Sequence, residues 1–184
     1  MQKKIGPWTQ ETSQLVYENS WIKLRHDNVT TPAGLKGVYG VVEFQNRALA
    51  VVPISSDDKI VLVGQHRYPL DNYSWEIPAG GGSLDEDKSG AIQRELKEET
   101  GFTAKSWTIL ASNLELSNSV SNEQGWIWIA EDLIPGLSNP ESCEELKLKE
   151  VTFAEAFLMI KNGQIRDMLS VLGIYMAHEY LNQL

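Results

Sequence analysis

Three glutamates stand at helical spacing within the segment GGGSLDEDKSGAIQRELKEETGF, residues 80–102. Positions three or four residues apart share one face of a helix, so Glu95 lies beside Glu98 and Glu99 and their like charges repel. A solvated acidic stripe is the usual origin of such a charge run. The other use is a site for a hard divalent cation such as Mg²⁺, which takes oxygen ligands and offsets the repulsion. The residues around the glutamates decide between these two interpretations.

The whole segment follows one fixed pattern of types and distances. In order, it reads Gly80, five residues, Glu86, seven residues, Arg94-Glu95-Leu96, one residue, Glu98-Glu99, one residue, Gly101-Phe102. This spacing resembles the Nudix box at every position, and the chain therefore resembles the Nudix hydrolase superfamily. The resemblance implies a loop–helix–loop that binds Mg²⁺ or Mn²⁺ and supports hydrolysis of a nucleoside diphosphate linked to another group.

The same resemblance implies a role for each position of the box. Glu95 and Glu99 are the expected metal ligands, and Glu98 is a further ligand, direct or through water. Arg94 is expected to orient the glutamates by ion pairing, and Glu86 to contribute to the metal or its water shell. Gly80 and Gly101 are expected to form the two turns, and Leu96 and Phe102 to contribute to the packing.

The segments on both sides of the box resemble the ADP-ribose and nucleoside diphosphate sugar pyrophosphatases. VVPISSDDKIVLVGQHRYPLDNYSWEIPAGG precedes the box, NGQIRDMLSVLGIYMA follows it, and the similarity covers residues 12–180. One loop departs from that subfamily, because LELSNSVSNEQG lacks the Pro-Gly pair that the subfamily often carries. Its Ser119, Asn122 and Glu123 are candidates for selecting another sugar or terminal group.

Four residues before the box are candidates for binding. Arg67 ends a predicted strand and can bind a phosphate bidentately or form a surface ion pair. Glu76 holds a substrate group or a partner arginine, or is an ordinary strand-end carboxylate. The resemblance implies that the carbonyl of Ala79 ligates a metal. Trp75 is expected in the core, with stacking on a base as the alternative.

The acidic segment ESCEELKLKE, residues 141–150, stands where the resembling pyrophosphatases have a mobile loop with a catalytic glutamate. Glu144 is the candidate, Glu141 and Glu145 come close behind, and a plain solvated loop is the alternative. The three histidines lack the spacing of a metal pair; they are His26, His66 and His178. A Ser or Cys nucleophile with a neighbouring catalytic motif is also missing, so the sequence gives no support for an acyl-enzyme.

The composition excludes several classes of protein. A chain of 184 residues with 42% hydrophobic residues can bury the core of one domain. A formal charge of −9 argues against a nucleic-acid or anionic-membrane partner. A single cysteine, Cys143, and the lack of a signal pattern predict a reducing cytoplasmic location. Since no apolar run reaches about 20 residues, we expect a soluble protein.

Patterns of strand and helix give the expected architecture. Strand-like stretches cover residues 15–29, 37–44, 48–54, 59–68, 74–82, 106–112, 125–133 and 145–153, and helical ones begin near Asp85 or Asp87 and cover 153–163 and 167–181. Residues 1–11 show no periodicity. The stretches ALAVVPI and KIVLVGQHRY predict two buried neighbouring strands. Because regular β-α alternation is missing, we expect an α+β fold, an α/β/α sandwich around a mixed sheet.

Two segments are expected along the chain: an N-terminal antiparallel β extension, residues 1–45, and a hydrolase domain, residues 46–184. The resemblance implies that the extension builds a homodimer, with Trp8 and Trp21 at its surface, although these rings would also suit the monomer's own core. The leading hypothesis is Mg²⁺-dependent hydrolysis of ADP-ribose or a related nucleoside diphosphate sugar to a nucleoside monophosphate and a sugar phosphate. The alternatives are a hydrolase of nucleoside triphosphates or capped nucleotides, and a non-catalytic nucleotide-sensing module.

Overall fold

The computed structural model describes residues 2–139 and 145–183. Its contacts divide the chain into two compact units. The N-terminal unit consists of the residues up to Arg47 together with Glu115–Gln124, and the larger unit of Ala48–Leu114 together with the residues from Gly125 onward. None of the helices in the described ranges is long and apolar enough to cross a membrane.

The N-terminal unit contains a four-stranded antiparallel sheet in the order β1-β2-β3-β4. The strands are β1 (Lys3–Ile5), β2 (Trp8–Glu18), β3 (Ile22–Thr30) and β4 (Lys36–Phe44). Residues 3–5 and 8–10 lack periodicity in the sequence but form a hairpin, because Gly6 takes a left-handed conformation (φ 54°) and lets Lys4 pair with Thr9. Backbone pairing of this kind requires no alternation of apolar side chains.

Residues 115–124 complete the N-terminal unit through hydrogen bonds to β4. The Val42 amide donates to the Val120 carbonyl (2.8 Å), and the Tyr39 hydroxyl donates to the Ser119 carbonyl (2.6 Å). The Phe44 amide donates to Asn122 Oδ1 (2.7 Å). Two of the residues considered above for selecting a sugar therefore contribute to the internal bonding of this unit.

The two N-terminal tryptophans have different environments. Trp8 is half-buried and packs edge-on against Tyr39, with ring centroids 5.5 Å apart. Trp21 is 59% exposed. Trp8 thus belongs to the packing of its own unit, and Trp21 is the tryptophan that is available at the surface.

The larger unit has a four-stranded sheet in the order β8-β5-β10-β9, a three-stranded sheet in the order β11-β6-β7, and three helices. The strands are β5 (Asn46–Pro53), β6 (Ile60–Arg67), β7 (Asn72–Glu76), β8 (Ala79–Ser83), β9 (Thr103–Glu115), β10 (Gln124–Ile134) and β11 (Lys147–Val151). The helices are α1 (Lys88–Thr100), α2 (Phe153–Lys161) and α3 (Met168–Leu181). β5 and β10 run parallel, whereas β6 pairs antiparallel with both of its neighbours.

Two expectations about the strands are wrong. β5 and β6 are buried but lie in different sheets and meet at one isolated bridge, Ile54 with Ile60. Both edges of β5 are already occupied by β8 and β10, so no edge remains for β6. The stretch SWEIPAGGG forms two strands in different sheets rather than one strand and a turn. The break contains Pro78, which has no amide hydrogen for a ladder.

Helices cover both faces of the four-stranded sheet. On one face, α1 packs its apolar side against alternate residues of β5 and β10; this cluster includes Leu49, Val51, Ala91, Ile92, Leu96, Trp126 and Trp128. On the other face, Gly173 of α3 approaches so closely that a Cβ there would lie 3.2 Å from both Val52 and Ile127. Each fully buried Leu or Ile contributes about 1.5–3 kcal/mol of burial free energy. The expected α/β/α sandwich within an α+β fold is confirmed.

Candidate active site

Helix α1 carries the three glutamates, and the sequence defines both of its ends. The side chain of Asp87 accepts a hydrogen bond from the Gly90 amide (2.9 Å) and caps the first turn. Gly101 ends the helix in a left-handed conformation (φ 78°), and its amide donates to the Lys97 carbonyl (2.9 Å). Because the apolar side faces the sheet, the glutamates lie together at the side of α1 next to β8.

Gly80 of β8 makes room for the carboxylate of Glu95. A Cβ built on Gly80 would lie 2.2 Å from the carboxylate carbon of Glu95, a distance at which atoms overlap. The Glu95 side chain is only 14% exposed. The absence of a side chain at position 80 is therefore a requirement for the position of Glu95.

Glu99 is the most buried of the three glutamates, with 4% exposure. One of its carboxylate oxygens, Oε2, accepts a hydrogen bond from the amide of Ala79 (3.2 Å). The structure thus brings Ala79 and Glu99 together through the amide of Ala79. The part of its carbonyl as a ligand stays a prediction.

Arg94 binds the other carboxylates of the box. Its Nη1 donates to Glu95 Oε1 (2.8 Å) and to Glu98 Oε2 (2.9 Å), and its Nε lies 3.5 Å from Glu86 Oε1. Partial burial opposes the charge, but the charge of Glu95 and the hydrogen bonds to the carboxylates outweigh it and raise the pKa of Arg94. This cation balances part of the negative charge at the site and allows the carboxylates to stay close together.

The donor set fits a hard divalent cation in its chemistry. It consists of carboxylate oxygens, which Mg²⁺ and Mn²⁺ prefer, and Gly80 leaves space for one of these carboxylates against the backbone of β8. Within residues 2–139 and 145–183, however, no group of three or more His, Cys, Asp or Glu side chains is arranged to hold a metal ion. Arg94 lies between the carboxylates of Glu95 and Glu98, and Glu99 bonds to the backbone. Binding a metal would require these side chains to rearrange.

Arg67, at the end of β6, is paired with Glu76 of β7. Arg67 Nε donates to both Glu76 oxygens (3.0 and 3.2 Å), its Nη2 donates to Oε2, and Glu76 is 3% exposed. These hydrogen bonds raise the pKa of Arg67 against its partial burial, and the charges of Asp167 and Glu99 add to the effect. Of the uses weighed for Glu76, the structure shows the one with a partner arginine.

Trp75 is half-buried on the three-stranded sheet rather than in the core. Its ring packs edge-on against Tyr73 (5.7 Å), and Lys149 Nζ lies 5.5 Å from its centroid. Gly64 of the neighbouring strand leaves room for both rings, since a Cβ there would lie 2.4 Å from the Tyr73 hydroxyl. The lysine covers the Trp75 ring, so the structure gives no support for base stacking on it.

The remaining candidates are the acidic segment and the three histidines. Glu141 and the catalytic candidate Glu144 fall outside the described residues, and Glu145 is exposed. His66 pairs with Asp71 (3.1 Å), and His178 packs among aromatic rings. His26 is exposed on β3. That the histidines have no catalytic role stays a prediction.

A cavity next to Arg67 contains residues that the sequence did not single out for binding. Its volume is about 280 Å³, and its polar lining includes Asn72, Ser74 and Arg166. Asn72 begins β7 and Arg166 lies in the connection from α2 to α3, far apart in the sequence. Neither has a spacing typical of a site, so only the fold reveals that they are neighbours.

Comparison with known proteins gives two domain matches along the chain. The NUDIX domain matches residues 44–169, and the nucleoside diphosphate sugar hydrolase N-terminal domain matches residues 8–42. The first covers the box and both sheets of the larger unit, and the second covers β2, β3 and β4 as far as Val42.

Similar proteins extend over most of the chain. A methanol dehydrogenase activator of Bacillus methanolicus is 33% identical over 95% of this chain and 94% of its own. An ADP-ribose pyrophosphatase of Bacillus subtilis is 29% identical over 86% of each chain. The crystal structure of an ADP compounds hydrolase superimposes with a TM-score of 0.86 at 22% identity, over 98% of this chain and 97% of that one, and thus shares the fold. With the NUDIX domain spanning most of its length and a complete box from Gly80 to Phe102, this chain is a member of the Nudix hydrolase family, enzymes that cleave nucleoside diphosphate derivatives.

Proposed function

We propose that this enzyme is a pyrophosphatase that requires Mg²⁺ or Mn²⁺ and hydrolyses ADP-ribose or a related nucleoside diphosphate sugar. The products would be a nucleoside monophosphate and a sugar phosphate. The observation that carries the proposal is the group of box carboxylates around Arg94, next to Gly80 and Ala79 of β8. Such a group suits a divalent cation, and the charge of that cation suits a substrate with a diphosphate.

The match to a nucleoside diphosphate sugar hydrolase N-terminal domain supports this class of substrate. So do the names of relatives in Bacillus subtilis and in Mycobacterium tuberculosis, where a protein named ADP-ribose pyrophosphatase is 28% identical over 91% of this chain. A hydrolase of nucleoside triphosphates or capped nucleotides is the enzymatic alternative, because the box by itself does not choose the leaving group.

The residues that would hold the metal are Glu95, Glu98 and Glu99, together with the carbonyl of Ala79. When bound, the ion would supply positive charge against the diphosphate and lower the pKa of the attacking water. Arg94 would keep the carboxylates oriented until substrate binds, because it donates to two of them at once. A carboxylate must also take the proton of the water, and Glu144 is the candidate that the sequence provides.

Arg67 would bind a phosphate of the substrate. Its guanidinium is fixed by Glu76 and lies within the electrostatic reach of Glu99, and so on the side of the larger unit where the box is. A cation fixed in this way loses little further freedom on binding an anion. Glu76 would act in binding through Arg67, because both of its oxygens already accept from that side chain.

A panel assay with product identification tests the proposal. We expect kcat/KM for ADP-ribose to exceed that for ATP, GTP and oxidised dGTP, with AMP and ribose 5-phosphate as products. EDTA should abolish turnover, and Mg²⁺ or Mn²⁺ should restore it. Rapid turnover of a triphosphate with inert ADP-ribose and inert nucleotide sugars would refute the substrate assignment. Full activity after thorough removal of metal would refute the metal requirement.

The relative of Bacillus methanolicus suggests a second function. That protein is named for activation of a methanol dehydrogenase, and its similarity extends over 95% of this chain. An assay of methanol dehydrogenase with and without this protein tests it directly. If activation occurs and is lost in Glu95→Gln, the effect depends on the box; if it persists, it depends on another surface.

We also propose that the chain forms a homodimer through its N-terminal extension, with residues 1–45 as the extension and 46–184 as the hydrolase domain. Several large apolar side chains of the N-terminal unit are half or more exposed, among them Val16, Tyr17 and Trp21. Exposed apolar side chains that lie close together are typical of an interface. The cytoplasmic location expected from the cysteine usage stays a prediction.

A further inference from the structure

The cavity beside Arg67 lies between two connections of the larger unit. The turn Tyr68–Leu70 and the start of β7 contribute Pro69, Leu70 and Asn72, and the connection from α2 to α3 contributes Arg166 and Asp167. Its volume of about 280 Å³ suits a ligand about the size of a sugar phosphate. The charged residues of the lining differ in how far they are already engaged.

Three of the four charged side chains of the cavity are occupied. Arg67 and Glu76 bind each other, and Asp167 Oδ2 accepts hydrogen bonds from the Ser170 amide and hydroxyl (2.8 Å each) as the cap of α3. Arg166 is exposed, and in the described part of the chain it forms no ion pair. Arg166 is therefore the cation of this cavity without a carboxylate partner among the described residues.

Asn72 is the second residue of the lining that has a polar group without a partner among the described residues. Its Oδ1 is buried and has no hydrogen-bond partner among the residues that the structure describes. A buried polar atom without a partner is costly, and native proteins seldom keep one without a reason. The terminal torsion of asparagine is broad, so the carboxamide can turn toward a ligand at little cost. A sugar hydroxyl satisfies either orientation of the carboxamide, because it both donates and accepts.

We propose that this cavity binds a ribosyl phosphate, with Arg166 contacting the phosphate and Asn72 a ribose hydroxyl. The assignment rests on the proposed function, since a nucleoside diphosphate sugar provides such a group at either end: the nucleoside 5′-phosphate or the terminal sugar phosphate. Arg67, which lines the same cavity and is influenced by the charge of Glu99, would then connect it to the box. Asn72 and Arg166 become residues that determine specificity for the substrate.

The test measures binding separately from turnover. AMP and ribose 5-phosphate are titrated separately, in EDTA, into the wild type and the variants Asn72→Leu and Arg166→Gln, with calorimetry as the readout. We expect Arg166→Gln to weaken one of the two ligands about tenfold or more, and Asn72→Leu to weaken the same ligand about threefold or more. Lys161→Gln at the end of α2 removes the same charge from an exposed residue outside the cavity, and it should bind like the wild type.

Thermal unfolding separates binding from a structural role. Leucine at position 72 removes a buried polar atom without a partner, so the melting temperature of Asn72→Leu should equal or exceed that of the wild type. A lower melting temperature with unchanged binding would show that Asn72 is structural and would overturn its assignment. If Asn72→Leu does not fold, the ligand affinity of Arg166→Gln, a change at an exposed residue, tests the cavity assignment.

The outcomes also distinguish this inference from the proposed function. If the wild type hydrolyses ADP-ribose but binds neither ligand, or if both variants bind as tightly as the wild type, the cavity is not the ribosyl phosphate site and the proposed function stands. If the wild type hydrolyses no nucleotide sugar but binds AMP or ribose 5-phosphate and loses affinity in the variants, the cavity stands and the proposed function fails. The ligand that is weakened identifies the end of the substrate.

Discussion

The charged side chains of the box form hydrogen bonds mainly with one another. Arg94 donates to Glu95 and Glu98 at once, and the backbone of β8 holds Glu99 through the Ala79 amide. Each carboxylate therefore has a partner in the free protein, which limits the repulsion between them. The same contacts hold the carboxylates in the arrangement of the free protein, which metal binding would have to change.

Replacement of the glutamates tests their part in turnover. We expect Glu95→Gln and Glu99→Gln each to lower kcat by more than about 100-fold, beyond the loss typical of groups that only support metal ligands. An amide is a poor substitute for an anionic ligand, and far-ultraviolet circular dichroism should show the fold intact. Glu179→Gln, at an exposed position of α3, is the control. Rates close to the wild type in both variants, at saturating Mg²⁺, would remove the assignment.

Gly80→Ala tests the contact between β8 and Glu95. The new Cβ would overlap the Glu95 carboxylate, so this side chain must move away, and we expect kcat to fall as strongly as in Glu95→Gln. Stability should change little, because the displaced group is the end of a flexible side chain. Gly90→Ala in α1 is the matched control, since its Cβ would lie 3.6 Å from Asp87, an ordinary contact. Equal activity of both variants would contradict this account of Gly80.

At the scale of elements, the end of α1 is the position most sensitive to a small change. Gly101 has a left-handed backbone, and a Cβ there would lie 2.8 Å from both the Gly136 carbonyl oxygen and the Ser138 nitrogen. We expect Gly101→Ala to lower the free energy of unfolding by about 1–3 kcal/mol or more, measured by urea denaturation.

Gly34→Ala separates the conformational cost of a side chain on a left-handed backbone from the cost of crowding at Gly101. Gly34 also has a left-handed backbone (φ 81°), but a Cβ there would meet nothing within 4 Å. It therefore measures the conformational cost without the crowding. A loss in Gly101→Ala no larger than in Gly34→Ala would show that the contact with residues 136 and 138 is unimportant.

The sequence predicted elements well where periodicity or caps decide them, and less well where pairing decides them. Helices α1 and α3 begin where the sequence predicts, because Asp87 and Asp167 cap them and a cap is a local arrangement. The separation of β5 from β6 into two sheets depends on which strand edges are free, and no local pattern records that. Likewise, the box glutamates follow from spacing, whereas the cavity residues Asn72 and Arg166 become neighbours only through the fold.

At the scale of the whole molecule, the exposed apolar side chains of β2 and of the following turn predict association. We expect a dimer mass in light scattering at micromolar concentration, and a shift toward the monomer in the double variant Tyr17→Ser, Trp21→Ser. Both residues are more than half exposed, so these changes should not disturb the monomer's core. Tyr175→Ser on α3 removes a similarly exposed ring and should leave the mass unchanged. A monomer mass for the active wild type would refute the dimer.

The N-terminal unit is completed by residues 115–124, which accept hydrogen bonds from Val42, Phe44 and Tyr39. During synthesis these partners of β4 leave the ribosome 68 or more residues after Arg47, a delay of about 3–14 s at the usual rate of translation. During that time β2 to β4 lack these hydrogen-bond partners, and their exposed apolar side chains can contact other nascent chains. The order of synthesis thus leaves β2 to β4 without these partners until residues 115–124 have been made.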